Sequence, residues 1–494
     1  MIFIDKNKAD KLFYIILTIF HLIFFSTIFL TDGYPHNNDI LYIFKVASLE
    51  GNLKFINGLY GPGYVYYSLV FSNSVTILSF VICLLIIFSS ILLSILLNNF
   101  TKNTDLNEKF TIYLFSLLFH LIIIFSLGFN HSESIFLLLF YNGFLIFIFG
   151  YYFKNNTFVY FTGLILLGIS ILFRQHAIVV LFFLYIFFLI FEINYCKKNF
   201  YLFFKRYFII GFILFTPVAL ALIHLLSIDA IRMWQTSFRL HMIFYVDLWG
   251  DWRDLKYLLE TEDIKNFNLF KVEAERIWIE FRNFSLHALK ILYPFIICFL
   301  ISFSISKKQI ILIALSFFIL FILIIIPGFH KGYIPALLFC FISVLLCFKQ
   351  LSNKKIMSFF MIVFLFGHLF YLIERYTENI IYSYKVNKDI KNNIVPYLNK
   401  NKLKYRNIFS DHLSFYTTKI DGDIDKLCTW GGWFLLHPYL KDYYPRDVIL
   451  GKKNKYCDVK ILITREKNFA EEYMAKENIN FKFKTDLHYI LTVN

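Results

Sequence analysis

Charge is what this chain has least of, and where it is missing says most. Only 17% of its 494 residues are Asp, Glu, Lys or Arg, against about 25% in an ordinary soluble domain. Long runs contain no charged residue at all, which excludes a conventional water-soluble enzyme. Inside the apolar runs as a whole there is almost no Asp, Glu, Lys or Arg, whereas ion-coupled carriers and pumps usually keep ionisable residues or Gly/Pro-broken helices near the bilayer midplane. The seven cysteines form no metal-type pair. Cys83, Cys298, Cys340 and Cys347 sit in apolar runs; only Cys428 and Cys457 share a polar segment, where they either pair or stay free. There is no phosphate loop, no dinucleotide fingerprint after a strand, no zinc spacing and no Gly-x-Ser-x-Gly elbow. The loops assigned to the cytoplasm carry no DxD pair of the kind that holds a metal for nucleotide sugars.

What is present is apolar length. Hydrophobic residues make up 58% of the chain, in runs that approach or exceed the ~18 residues needed to cross a bilayer as a helix. The expected class is an all-α polytopic membrane protein. Spans are expected near Leu12–Leu30, Val75–Leu97, Phe110–Phe129, Ser134–Phe153, Phe158–Phe173, Ile178–Ile193, Phe208–Leu226, Leu286–Ile305, Ile310–Ile326, Tyr333–Phe348 and Met357–Ile373, about 11 in all. The net charge of +15 fits this class, because lysines crowd the short loops between runs: Lys102 and Lys109, Lys154, Lys197-Lys198, Lys307-Lys308, Lys354-Lys355. The positive-inside rule then puts the N-terminus in the cytoplasm and the tail outside; the membrane expected is a bacterial inner membrane rather than the endoplasmic reticulum. No small-residue cleavage site follows the first run, so it reads as an uncleaved span.

The opposite loops are longer and richer in function-bearing residues. Residues 32–74 and 227–287 are the two large ones. Residues 1–374 form the membrane domain. From about Arg375 to Asn494 the chain turns polar and periodic. RNIFS (406–410), VKILIT (459–464), Phe481–Phe483 and Tyr489–Val493 read as strands and Asn468–Lys476 as a helix, giving a small extracytoplasmic α/β domain over 375–494.

Five polar constellations lie on the outer side. Asn38-Asp39 precede a short amphipathic helix pattern that Gly51 stops, so Asp39 is either an N-cap or a functional carboxylate, with Asp32 and His36 nearby. Asn130-His131-Ser132-Glu133-Ser134 opens the fourth span, where Glu133 also suits the helix dipole. Phe173-Arg174-Gln175-His176 is a very short turn. Its Arg either grips a phosphate bidentately or snorkels to headgroups. Pro327-Gly328-Phe329-His330-Lys331-Gly332-Tyr333 is a Gly/Pro turn with a cation. WQTSFRLHMIFYVDLWGDWRDLKYLLE holds Trp249 and Asp251 among aromatics that suit either an interfacial belt or a sugar ring. His21, His120, His224 and His368 fall inside apolar runs and read as hydrogen-bonded core residues.

The first external loop resembles that of GT-C-fold glycosyltransferases, multi-span enzymes that take sugars from polyprenyl-phosphate carriers. The resemblance rests on Asn38-Asp39, Tyr42, Phe44-Lys45-Val46-Ala47, Gly51 and Gly61-Pro62-Gly63. The bacterial family-39-like branch is the nearer pattern, and Leu172-Phe173-Arg174-Gln175 is similar to the dolichyl-phosphate-glucose α-1,2-glucosyltransferases. Many members carry two adjacent acids; here the first is Asn38, so Asp39 alone inherits the catalytic role, with Asp32 as a lesser substitute. The late-span motif departs from its usual form too, because Lys331 stands one place early, with Gly332 before Tyr333. The resemblance implies Asp39 as base, with Arg174, Lys331 and His330 at the donor phosphate. Asp32, Tyr42, Tyr64, Glu133, Trp249 and Asp251 would form the acceptor or loop site. It implies a polyprenyl-phosphate sugar donor, a lipid, glycan or protein acceptor, membrane lipids as surroundings and no nucleic acid. No cofactor is called for, and a divalent metal is left open. An O-antigen-type polymerase or ligase and a lipid-linked sugar flippase are the rival expectations.

Overall fold

The computed structural model describes residues 6–30, 62–63, 66–67, 70, 75–102, 104–127, 134–150, 157–173, 182, 185–186, 200–227, 341, 354–403, 407–410, 428–429, 460–464, 467–475 and 479–493. The architecture is mostly helical, with a small strand sheet at the C-terminal end. Among the described residues, seven long helices come first: α1 (Lys6–Leu30), α2 (Val75–Phe100), α3 (Leu106–Leu127), α4 (Ser134–Ile148), α5 (Thr157–Ile171), α6 (Phe200–Ser227) and α7 (Lys354–Asp389). Three stretches among the described residues are long and apolar enough to cross a membrane: Phe80–Phe100, Leu106–Ser126 and Phe200–Ser227. Lys11–Thr27, Ser134–Ile148 and Thr157–Ile171 are shorter apolar helices. The further spans expected between Leu286 and Phe348, and most of Ile178–Ile193, lie outside the described residues.

Local chemistry sets several boundaries. The Glu108 amide donates to the Asp105 carboxylate at 2.7 Å, an N-cap that starts α3 one residue after a tight turn. Pro217 sits inside α6, where it removes one backbone donor and presents its ring to a neighbour.

The helices pack as a layer that runs α6–α5–α4–α2, with α1 and α3 beside α2 and α7 against α3. Every residue of α4 except Leu139 is buried. Its tight crossing with α5 depends on two glycines. A Cβ on Gly163 would lie 2.5 Å from the Phe147 amide nitrogen, and one on Gly143 would lie 2.9 Å from the Gly163 carbonyl oxygen. Small residues that let backbones approach are the usual device of helix association in lipid, where apolar burial supplies no drive.

The four helices α1–α4 are also joined by a buried polar chain. His21 Nε2 meets Ser90 Oγ at 2.8 Å, and Ser90 Oγ meets His120 Nε2 at 2.8 Å. His120 Nδ1 then meets the Tyr141 hydroxyl at 3.0 Å. Histidines 21 and 120 are thus hydrogen-bonded within the bundle, as their place in apolar runs suggests.

α7 is longer than the apolar run that announces it. It continues 16 residues past Ile373 and then passes through a π-helical turn (Ile390–Ile394) into α8 (Val395–Lys400). The chain leaves α8 through Lys402, at φ 52°. The sheet has the order β2-β1-β3-β5-β4, from β1 (Ile408–Ser410), β2 (Cys428–Thr429), β3 (Ile461–Thr464), β4 (Ile479–Lys484) and β5 (Tyr489–Val493), with α9 (Lys467–Met474) between β3 and β4. β1 is parallel to β2 and β3, while β5 is antiparallel to β3 and β4. The helix and sheet share one core: Val386, Ile390, Ile394 and Leu398 pack with Ile408, Ile461, Ile463 and Ile490. The strand and helix expectations for the tail match these elements to within two residues, with β2 added.

Candidate functional site

The clearest site-like geometry gathers at the C-terminal ends of α5 and α6. There the Pro62–Gly63 turn meets α5. The Gly63 amide donates to the Leu172 carbonyl at 2.7 Å, and the Tyr66 amide donates back to Pro62 at 3.0 Å, closing one helical turn. A Cβ on Gly63 would sit 2.8 Å from the Leu172 carbonyl carbon and oxygen, so a side chain there would displace backbone. Glycine is the residue this approach requires.

One turn on, the Tyr66 hydroxyl shares a 2.7 Å hydrogen bond with Nδ1 of His224, from the last turn of α6. The two rings stack, with centroids 5.8 Å apart and planes 17° from parallel. Tyr67 is buried beside it. Burial raises the Tyr66 phenol and pushes that of Tyr67 up to about 12, so both remain neutral at any physiological pH.

The Tyr66–His224 pair closes one end of a cavity of about 630 Å³ between α5 and α6. Ile165, Ile169 and Leu172 form one wall; Phe212, Pro217 and Leu220 form the other. A cleft of this length exists because Gly168 lets α6 close in lower down, where its missing Cβ would meet the Leu214 carbonyl and the Pro217 ring. Ile165, Phe212 and Leu220 are exposed on the outer face, so the cleft opens sideways into what would be hydrocarbon. Thr216 is the remaining polar residue along it, and its hydroxyl is returned to the Phe212 carbonyl. The polar groups therefore stand at one end of a slot with apolar walls. That arrangement suits a ligand with a long apolar tail and a polar head.

Asp39, Asp32, Tyr42, Tyr64, Glu133, Arg174, Trp249, Asp251, His330 and Lys331 lie outside the described residues. What the structure brings together is two of the motifs that carry them. Gly63 rests on Leu172 and Phe173, and Arg174 follows Phe173 directly in the chain. The Tyr66–His224 pair is new. His224 is hydrogen-bonded, as expected of a histidine in an apolar run, but it lines a cavity instead of sitting in a core. Its position in the last turn of a span was the available signal. His368 is buried, with its ring 6.5 Å from that of Tyr371. Among the described residues, no three His, Cys, Asp or Glu side chains gather as a metal site needs. No protein-family model, curated protein or solved structure matches the chain.

Proposed function

We propose that the protein is a membrane glycosyltransferase of the GT-C type that moves a sugar from a polyprenyl-phosphate donor to an acceptor hydroxyl on the extracytoplasmic face. The observation that carries this reading is the apolar slot between α5 and α6, with its single polar end at Tyr66 and His224. A lipid-borne donor fits that shape: the tail lies along Ile165, Ile169, Phe212 and Leu220, and the phosphate reaches the end where Gly63 meets Leu172.

In this reading about 11 spans form the membrane domain. Asp39 takes the proton from the acceptor hydroxyl as that oxygen attacks the anomeric carbon, and the C–O bond to the donor phosphate breaks with inversion. The leaving phosphate needs charge stabilisation more than a proton. Arg174 supplies it next to Phe173, with Lys331 and His330 as the second source. Asp32, Tyr42, Tyr64, Glu133, Trp249 and Asp251 shape the loop and acceptor side. Neutral phenols at Tyr66 and Tyr67 add hydrogen-bond donors without repelling the phosphate.

The test is transfer of labelled sugar from a panel of polyprenyl-phosphate sugars in membranes, comparing wild type with Asp39→Asn at equal expression. Loss of a general base is expected to lower the rate by about 10²- to 10⁴-fold. Full activity in Asp39→Asn would remove the base and turn attention to an Arg174-dependent polymerase or ligase. No transfer from any donor would favour a carrier of lipid-linked sugars.

A further inference from the structure

α1 is a helix whose outer face offers nothing to fix its depth. Leu12, Ile15, Ile19, Leu22 and Ile23 are exposed on it. Against lipid, such residues are as well solvated after a slip of one residue as before it, because hydrocarbon and a leucine side chain are alike to them. Its apolar inner face, through Phe13, Leu17 and Phe24, is knobbed but made of the same material. Axial position must therefore come from directed bonds.

Among the described residues, three such bonds occur at three depths. Near the inner end, the Asn98 amide of α2 donates to the Tyr14 hydroxyl at 3.2 Å. Near the outer end, the Thr27 and Tyr376 hydroxyls share a 3.2 Å bond. Between them His21 reaches Ser90. The middle bond differs from the other two because its partner is itself held. The hydroxyl of Ser90 has one hydrogen, and it goes to the Ile86 carbonyl at 3.1 Å. With that hydrogen on Ile86, both imidazoles donate through Nε2 to the Ser90 oxygen and His120 Nδ1 accepts from Tyr141. With both rings neutral, the hydrogens of Ser90, Tyr141 and the two Nε2 atoms all find acceptors. The network ties α1 to α2, α3 and α4 at one level.

We propose that His21 is a positioning residue: its bond to Ser90 sets the axial register of α1 and hence the place from which the first external loop departs. α1 ends at Leu30, two residues before Asp32 and nine before Asp39 in the chain. A slip of one residue moves that end by about 1.5 Å along the axis, and misplacement of about 1 Å can cost a reaction 10²-fold. This role rests on the reading of Asp39 as the base. The position of α1 itself does not, and the experiment separates the two.

Hydrogen exchange is followed by mass spectrometry over the last turn of α1 in the full-length protein, in wild type, His21→Leu, His21→Gln and Phe20→Leu. Steady-state transfer is measured on the same four proteins. Gln places an amide nitrogen where Nε2 lies, whereas Leu keeps bulk without a donor. Phe20→Leu trims packing against Phe125 and leaves the polar chain intact. The expected result is faster exchange in His21→Leu alone, with kcat down about 10- to 100-fold, KM for the donor unchanged, and both restored within a few-fold in His21→Gln. Unchanged exchange in His21→Leu would overturn the register role. So would equal loss in Gln or in Phe20→Leu, which would mark general packing damage. Faster exchange with normal kcat would overturn positioning while leaving the clasp. If the wild type transfers no sugar, the earlier functional reading fails, and the exchange data still decide whether His21 holds α1.

Discussion

The helix bundle and the C-terminal sheet region put opposite kinds of residue in charge of their structure. In the sheet region an apolar cluster from Val386 through Ile490 is fully enclosed, while the strand faces turned outward carry Lys482 and Lys484. Water surrounds it, so burying those side chains is the driving force. The bundle encloses an apolar core too, with Phe115, Phe136, Phe140 and Phe144 fully buried, but its outer surface and its buried polar residues differ. Large apolar residues of α1 and α6 point outward, while Ser90, Ser116, His120 and Asn142 are buried. There the apolar surface is nearly indifferent, and directed bonds with glycine-mediated approaches decide which helix lies where. One substitution should thus have different consequences in the two halves of the chain.

The largest effect is expected where the sheet core is cut. Ile463 is fully buried in β3 and packs with Ile390, Ile461 and Ile490 across the helix–sheet boundary. Ile463→Ala should cost about 2–5 kcal/mol, from lost burial plus an unfilled cavity. Proteolysis of the full-length protein along a urea series, read on tail fragments, would measure it. Cleavage in the tail should shift to markedly lower urea while fragments of the bundle keep their profile. A joint shift would mean the two regions unfold as one unit, and the comparison would lose its basis.

Next is a polar cluster in the sheet region, centred on Asp389, which behaves there as the bundle's bonds do. Asp389 ends α7. Its Oδ2 accepts from His488 Nδ1 at 2.7 Å, Thr485 Oγ1 at 2.7 Å and the Leu487 amide at 3.2 Å, and Oδ1 accepts from Asn393 at 2.6 Å. Burial pushes this carboxyl up, but the bonds from His488, Thr485 and Asn393, together with the His488 charge, outweigh it and hold the group at about 2, below its ordinary 3.8. A depressed carboxylate stabilises the fold above the unfolded value, and that stability is lost as pH falls through the folded one. The tail should therefore loosen between about pH 4 and pH 2. Asp389→Asn should cost about 1.5–3 kcal/mol at neutral pH and flatten the acid limb. Tail proteolysis against pH would show it, and an unchanged acid limb would place the sensitivity on another group.

The same contrast explains what could be read from sequence. Val75 and Ser134 start α2 and α4 where the apolar runs begin, and the strands of the tail follow from short apolar runs, with VKILIT read as a buried strand and all four residues of β3 enclosed. The end of α7 could not be found by apolarity, because the helix does not stop where hydrocarbon does. Its signal was the buried stripe Leu372, Tyr376, Ser383 and Val386 at helical spacing. β2 is two residues long, too short for any period to register. At the candidate site, the Gly-Pro-Gly turn was visible as a feature, but its contact with the Leu172 carbonyl was not. Tyr66 and His224 are 158 residues apart and meet only because α5 and α6 stand side by side. Nothing local in either neighbourhood encodes that pairing.

The smallest effect is expected on the outer face of α1, and it is the sharpest check on the contrast. Leu22 is 62% exposed there, next to the residue that holds the middle bond. If acyl chains cover that face, Leu22→Ala exchanges one hydrocarbon contact for another and should change stability by less than about 0.5 kcal/mol. The measurement is the thermal inactivation midpoint of the protein in native membranes, set beside that of Ser90→Ala, which breaks the clasp from the other side. Leu22→Ala should track wild type while Ser90→Ala falls below it. A loss of more than about 2 kcal/mol in Leu22→Ala would be the size of a cavity in a packed core. That outcome would mean α1 meets protein on this face, so that its register would be fixed by side-chain interlocking, with the polar chain as a secondary support.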